Sequence, residues 1–73
     1  MHIGSLIRKE LKRSGHTVTW FAAQICCTRT HAYKIFRKES IDTGLLERVS
    51  RTLGHDFFQD LSKGLAEEDT QPQ

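Results

Sequence analysis

Apolar residues recur along this chain at spacings of three and four, and short polar interruptions divide them into five runs. Ile3, Leu6, Ile7 and Leu11 fall on one side of a helix over residues 2–14, while Arg8, Lys9, Lys12 and Arg13 face elsewhere. Gly15 follows as its C-cap. Thr17 is placed to cap a second helix, about 18–25, with Phe21, Ala22 and Ile25 as its buried face. Ala22 is small enough to let two crossing helices approach closely. Cys26 and Cys27 make the next turn. Thr28 then caps a third helix, about 29–36, with Ala32, Ile35 and Phe36 inward. The two threonine caps stand eleven residues apart, which is room for two turns of helix and a tight corner.

Residues 37–40, Arg37-Lys38-Glu39-Ser40, form a polar loop. Asp42 caps a fourth helix, about 43–53, on which Leu45, Leu46, Val49 and Leu53 are apolar and which Gly54 stops. Asp56 caps a short fifth helix over 57–62, carrying Phe57, Phe58 and Leu61. The two phenylalanines cannot both be buried on so short a helix, and one of them is a candidate dimer contact. Beyond it the chain has too little apolar content to order itself. The expected organisation is a folded domain over 1–62 and a mobile acidic tail over 63–73. No repeat, strand-like alternation or glycine-rich loop is present, so the fold class is all-α.

Composition changes this picture in two places. At 73 residues, 37% of them hydrophobic, the chain can build one small core. Its net charge of +2 hides a division: residues 1–55 carry +6 and residues 56–73 carry −4. A basic body raises the expectation of a polyanionic partner, beside the ordinary reading of a solvated charged surface. The basic cluster on the first helix is read most simply as such a solvated face, with direct DNA contact as the alternative; either way it adds to the positive field. Cys26 and Cys27 are adjacent, so bridging them would close a strained ring. Free thiols fit a reducing cytoplasm. Met1 leads into an alternating charged and apolar run rather than a signal sequence, and no apolar stretch approaches the roughly 20 residues that span a bilayer. A cytoplasmic location and no membrane partner are expected.

Two capped helices about a tight corner, the second with an exposed polar set, is how a chain writes a helix-turn-helix. With the flanking helices, the chain resembles the lambda-repressor-like, or Cro/C1-type (XRE), DNA-binding family. The resemblance runs from about Ile3 to Leu61. It is carried by TVTWFAAQICCTRTHAYKIF and by SIDTGLLERVSRTLGHDF, the latter similar to the family's fourth helix. The closing run LGHDFF is similar to small bacterial regulators of this type. Two positions depart from the pattern. Cys26 stands where the family often has glycine; if that residue is left-handed, the side chain costs about 1 kcal/mol. Gly44, in the first turn of the fourth helix, costs up to about 1 kcal/mol relative to alanine.

The resemblance implies a compact five-helix domain that places the helix over 29–36 in the DNA major groove. With Ala32 and Ile35 inward, the outward residues are Arg29, Thr30, His31, Tyr33 and Lys34. Matched to the family's recognition helix, the base-reading places fall on Arg29, Thr30 and Lys34, with His31 and Tyr33 beside them. Arg29 can pair bidentately with guanine or, alternatively, hold a phosphate. Lys34 can reach either. Thr30 can offer its methyl to thymine or its hydroxyl to a base. Tyr33 contacts sugar or phosphate through its hydroxyl, or else packs on the neighbouring helix. Backbone contacts are expected from Thr17, Val18 and Thr19 at the start of the second helix, from Thr28, and from Arg37, Lys38 and Ser40. The bland alternative for Arg37 and Lys38 is loop solubility. Trp20 covers the core edge against the first helix or the Phe57-Phe58 segment, or else marks a partner surface.

Other chemistry is not expected. Neighbouring cysteines seldom share one tetrahedral ion, and no second pair accompanies Cys26, Cys27 and His31, so no metal or other cofactor is assigned. His2, His16 and His55 are isolated in sequence and read as surface or helix-end residues. No nucleophile, histidine and carboxylate arrangement is readable, so an enzyme is not expected. The expected partner is double-stranded DNA, bound by two copies through weak or DNA-assembled dimerisation on the fourth and fifth helices. The competing reading is a protein-interaction or antitoxin-like module that keeps the fold and uses Trp20, the phenylalanine pair or the acidic tail on a protein partner.

Overall fold

Each helix of this chain begins where a side chain can accept a hydrogen bond from a backbone N–H three residues on. The computed structural model describes residues 2–69, and these contain α1 (Ile3–Ser14), α2 (Val18–Gln24), α3 (Arg29–Phe36), α4 (Thr43–Leu53) and α5 (Phe57–Asp69). Thr17 accepts from the Trp20 N–H at 3.0 Å, Thr28 from His31 at 3.1 Å, and Asp42 from Leu45 at 2.7 Å. Asp56 accepts from Gln59 at 3.2 Å. Such a cap contributes about 1 kcal/mol. The first helix uses His2, whose Nδ1 accepts from the Ser5 N–H at 3.1 Å. Gly15 and Gly54 end α1 and α4 in the left-handed region, at φ 81° and 63°.

All five helices contribute to one core. Ile3, Ile7 and Leu11 enter it from α1, Phe21 and Ala22 from α2, and Ala32, Ile35 and Phe36 from α3. Leu46 and Val49 enter from α4, and Phe57 from the start of α5; Ile25, just after α2, completes the set. The principal helix pairings are α2 on α3, α1 on α3, α1 on α4 and α4 on α5. Ala22 and Ala32 are both buried on the paired helices α2 and α3, where small side chains permit a short interaxial distance. Fully burying one leucine or phenylalanine contributes about 1.5–3 kcal/mol, so the core outweighs any single cap.

The seat of α1 on α3 is closer than side-chain packing alone produces. The Ile3 N–H donates to the Glu39 carbonyl at 3.0 Å, and the Gly4 N–H donates to Lys38 at 2.9 Å. The chain leaving α3 thereby satisfies two of the N–H groups that the first turn of α1 leaves free. A Cβ on Gly4 would overlap the Ile35 and Phe36 carbonyl oxygens. Glycine is thus required there by close approach of backbones. From the other side, the Arg48 Nη2 on α4 donates to the Ile25 carbonyl at 2.9 Å and caps the end of α2.

Two local expectations change, at the end of the fifth helix and at His55, and one, on the phenylalanine pair, is met. The fifth helix continues to Asp69 instead of ending at 62. Its nucleus is already formed and anchored by Phe57, and Lys63, Leu65 and Ala66 are good helix formers that extend it without burial. The last part of the expected acidic tail, residues 70–73, lies outside the described residues. The phenylalanine pair divides, with Phe57 buried and Phe58 39% exposed, as successive positions on a helix point about 100° apart. The second change is at His55, which is half-buried between two carboxylates rather than isolated: Nε2 is 2.6 Å from Asp60 Oδ2 and Nδ1 is 3.5 Å from Glu10 Oε1.

Candidate nucleic-acid interface

The corner between α2 and α3 sets how the two helices face each other. Cys27 donates its N–H to the Ala22 carbonyl at 2.9 Å, and Cys26 donates to Ala23 at 3.3 Å. Between these bonds Cys26 takes φ 57°, in the left-handed region where glycine is favoured. The cost of about 1 kcal/mol is tolerable against the burial of Phe21, Ile25 and Ile35 on either side. Cys26 is exposed and Cys27 half-buried, and burial pushes the Cys27 thiol above its usual range. A raised pKa lowers thiolate content and makes Cys27 a poor redox sensor.

The corner projects α3 with two different faces. Ala32, Ile35 and Phe36 are buried; Arg29, Thr30, His31 and Lys34 are exposed. Tyr33 lies between the two faces. It is half-buried against the core, with its ring edge-on to Phe36 at 5.9 Å between centroids. The Arg29 guanidinium lies 5.8 Å from the Tyr33 centroid on one side, and Arg8 of α1 lies 5.5 Å from it. Hydrogen bonding from Arg29, with the charges of Arg29 and Arg8, draws the Tyr33 phenol below its usual pKa. Of the two readings of Tyr33, the packing one is met. The ring packs toward the neighbouring helix, and the phenol stays beside Arg29.

The residues assigned to backbone contact lie just after α3 and at the starts of α2 and α3. Arg37, Lys38 and Ser40 are exposed just after α3. Lys38 is fixed through its carbonyl, which receives the Gly4 N–H. Thr17 and Thr19 are exposed and Val18 is half-buried at the start of α2. Thr17 and Thr28 use their hydroxyl oxygens as caps, so each retains its hydroxyl proton for donation. Among the described residues, no carboxylate pairs with Arg29, Lys34, Arg37 or Lys38, and the ion pairs lie elsewhere, at Arg13–Glu10, Arg51–Glu47 and His55. The face therefore carries uncompensated positive charge.

Two aromatic or basic groups take places the sequence does not show. Trp20 stacks on His16, with ring centroids 3.6 Å apart and planes 11° from parallel, while its other contacts are with the core edge. Arg8, read as part of a solvated cluster, lies over the Phe36 ring at 5.1 Å as well as over Tyr33. The His16–Trp20 stack is local, four residues apart across the Thr17 cap, whereas no local pattern signals the Arg8 contacts, which join α1 to α3. In the same basic cluster Arg13 is paired, donating from Nε to Glu10 Oε2 at 2.9 Å. Glu10 is the buried acid among the described residues, and the Arg13 hydrogen bond holds its pKa below the ordinary range against the opposing effect of burial.

Among the described residues, no group of three or more His, Cys, Asp or Glu side chains is placed to hold a metal ion, and no helix is long and apolar enough to cross a membrane. No family model, no curated protein and no solved structure matches the chain.

Proposed function

We propose that this chain is a sequence-specific double-stranded DNA-binding regulator of the lambda-repressor-like helix-turn-helix type, acting as a repressor in the bacterial cytoplasm. In this reading α2 and α3 form the helix-turn-helix, and α3 enters the major groove. Arg29, Thr30 and Lys34 meet base edges, with His31 and Tyr33 beside them. Arg37, Lys38, Ser40, Thr28 and the start of α2 hold phosphates on either side. One observation carries the reading most directly. α3 buries one face completely, and its other face joins unpaired cations to base-sized hydrogen-bonding side chains. Any core-packing surface helix exposes a polar face; what supports the reading is that the cations on this one have no carboxylate partner among the described residues.

The chain binds as two copies, each recognition helix in a major groove about one helical turn from the other. Phe58 and Leu65, exposed by 39% and 62% on α5, favour a weak contact between copies, and they also support the second reading, an antitoxin-like module with a protein partner. Selection from a randomised duplex pool at about 150 mM salt separates these readings, since weak non-specific attraction is then largely screened. Enrichment of an inverted repeat is the expected result. A single enriched half-site would mean a monomer or a dimer assembled on DNA. No enrichment, with binding that disappears as salt rises, would contradict the proposal and favour the protein partner.

A further inference from the structure

Between α1 and α3 lies an open groove of about 390 Å³, lined by Ser5, Arg8, Lys9, Lys12 and Phe36. The four α1 residues stand at i, i+3, i+4 and i+7, so they share one face of the helix. We infer that this groove is a second phosphate-binding surface, which grips the DNA backbone beside the major groove that α3 enters; the inference rests on the DNA-binding reading above.

Three observations assign it. The first is charge: the lining contains three cations and no acid, and among the described residues none of the three has a carboxylate partner. The acid of α1, Glu10, is turned inward and paired with Arg13, so it does not compensate this face. The second is preorganisation. Arg8 is held over the Phe36 and Tyr33 rings at 5.1 and 5.5 Å, so less of its freedom remains to be lost on binding than for an arginine in open solvent. The third is continuity. Arg8, Tyr33 and Arg29 form an unbroken row from α1 onto the exposed face of α3. A ligand that crosses both surfaces must be an extended polyanion. From Ser5 to Lys12 the helix rises about 10 Å, the axial length of about three phosphates on one strand. That dimension fits a nucleic-acid backbone better than a single acidic side chain.

The test measures the salt dependence of binding to a short duplex of arbitrary sequence. It uses the full chain, the double variant Lys9→Gln/Lys12→Gln, and Arg8→Gln. The glutamines keep helix propensity, and the double variant touches no ring packing, so it remains informative if Arg8→Gln disturbs the α1–α3 contact. Arg51→Gln, which alters a cation paired to Glu47, is the control. The double variant should shallow the slope of log affinity against log salt by about two units, so that its loss of affinity between about 50 and 200 mM salt is about tenfold smaller than the parent's. Arg51→Gln should leave the slope unchanged. A parent that binds with a slope unaltered in the double variant overturns the groove assignment and leaves the α3 reading standing. So does a double variant that loses self-association at constant slope, which would assign the groove to a second copy. A parent that fails to bind duplex even at about 50 mM salt overturns the DNA reading and the groove with it.

Discussion

At the scale of single residues, the proposed DNA reading assigns specificity and affinity to different side chains. Arg29→Ala should erase about 1–3 kcal/mol of discrimination between the best site and its variants, the value of a bidentate contact to guanine. Lys38→Ala should weaken all duplexes alike and shallow the salt slope by about one unit. Competition binding against a panel of single-base variants measures both. If Arg29→Ala leaves site preference intact, the register assigned to α3 is wrong. Tyr33 offers a second probe, as the chain has one tyrosine. Its phenol should ionise below the pKa of about 10 typical of tyrosine, because Arg29 hydrogen-bonds to it and adds positive charge. Titration by absorbance near 295 nm should show this, and Arg29→Ala should move the midpoint back up. An unmoved midpoint would mean that Arg29 does not rest on Tyr33 in solution.

At the scale of elements, the sequence shows what is local and conceals what is not. Thr17, Thr28 and Asp42 cap as their positions imply, and the apolar spacings place Ile7, Phe21, Ile35 and Val49 in the core. Caps and periodicity act within a turn or two of helix, so they are written in consecutive residues. The seat of α1 is different. Gly4 matters because the Ile35 and Phe36 carbonyls lie against it, and nothing near residue 4 announces those partners. The same holds for Arg8 on Tyr33, for Arg48 on the Ile25 carbonyl, and for His55 between Glu10 and Asp60. Of the candidate site, the exposed set on α3 and the basic cluster on α1 are legible; that the two adjoin through Arg8 and Tyr33 is not. Gly4→Ala should lower stability by about 1–3 kcal/mol, the usual range for overpacking, although alanine is the better helix former. Cys26→Gly should have the opposite sign, raising stability by up to about 1 kcal/mol through relief of the left-handed turn. Urea denaturation followed by Trp20 fluorescence measures both. A neutral Gly4→Ala would show that α1 can shift away from α3 at no cost.

For the whole molecule, charge is arranged so that one side is compensated and the other is not. Glu10, Arg13, His55 and Asp60 pair where α1 meets the start of α5, whereas Arg8, Lys9, Lys12, Arg29, Lys34, Arg37 and Lys38 have no carboxylate partner among the described residues. The pairing has a consequence for stability against pH. The folded pKa of Glu10 lies below its unfolded value, so the folded state favours the ionised form. Its contribution is complete above the unfolded pKa, near 4.5, and is lost as pH falls through the lower folded value. Glu10→Gln should therefore reduce the thermal midpoint at pH 7 and flatten the loss of stability on acidification. An equal acid response in parent and variant would place the acid sensitivity elsewhere.

In the proposed reading, the exposed face of α3 is what this protein presents to DNA. An amide chemical-shift titration of the labelled chain with an enriched duplex, at about 150 mM salt, tests it residue by residue. The largest shifts should fall on Arg29, Thr30, His31, Tyr33 and Lys34, with smaller ones at Arg37, Lys38 and the start of α2. Shifts confined to α5 around Phe58 and Leu65, with α3 silent, would contradict the account and identify the protein as an interaction module.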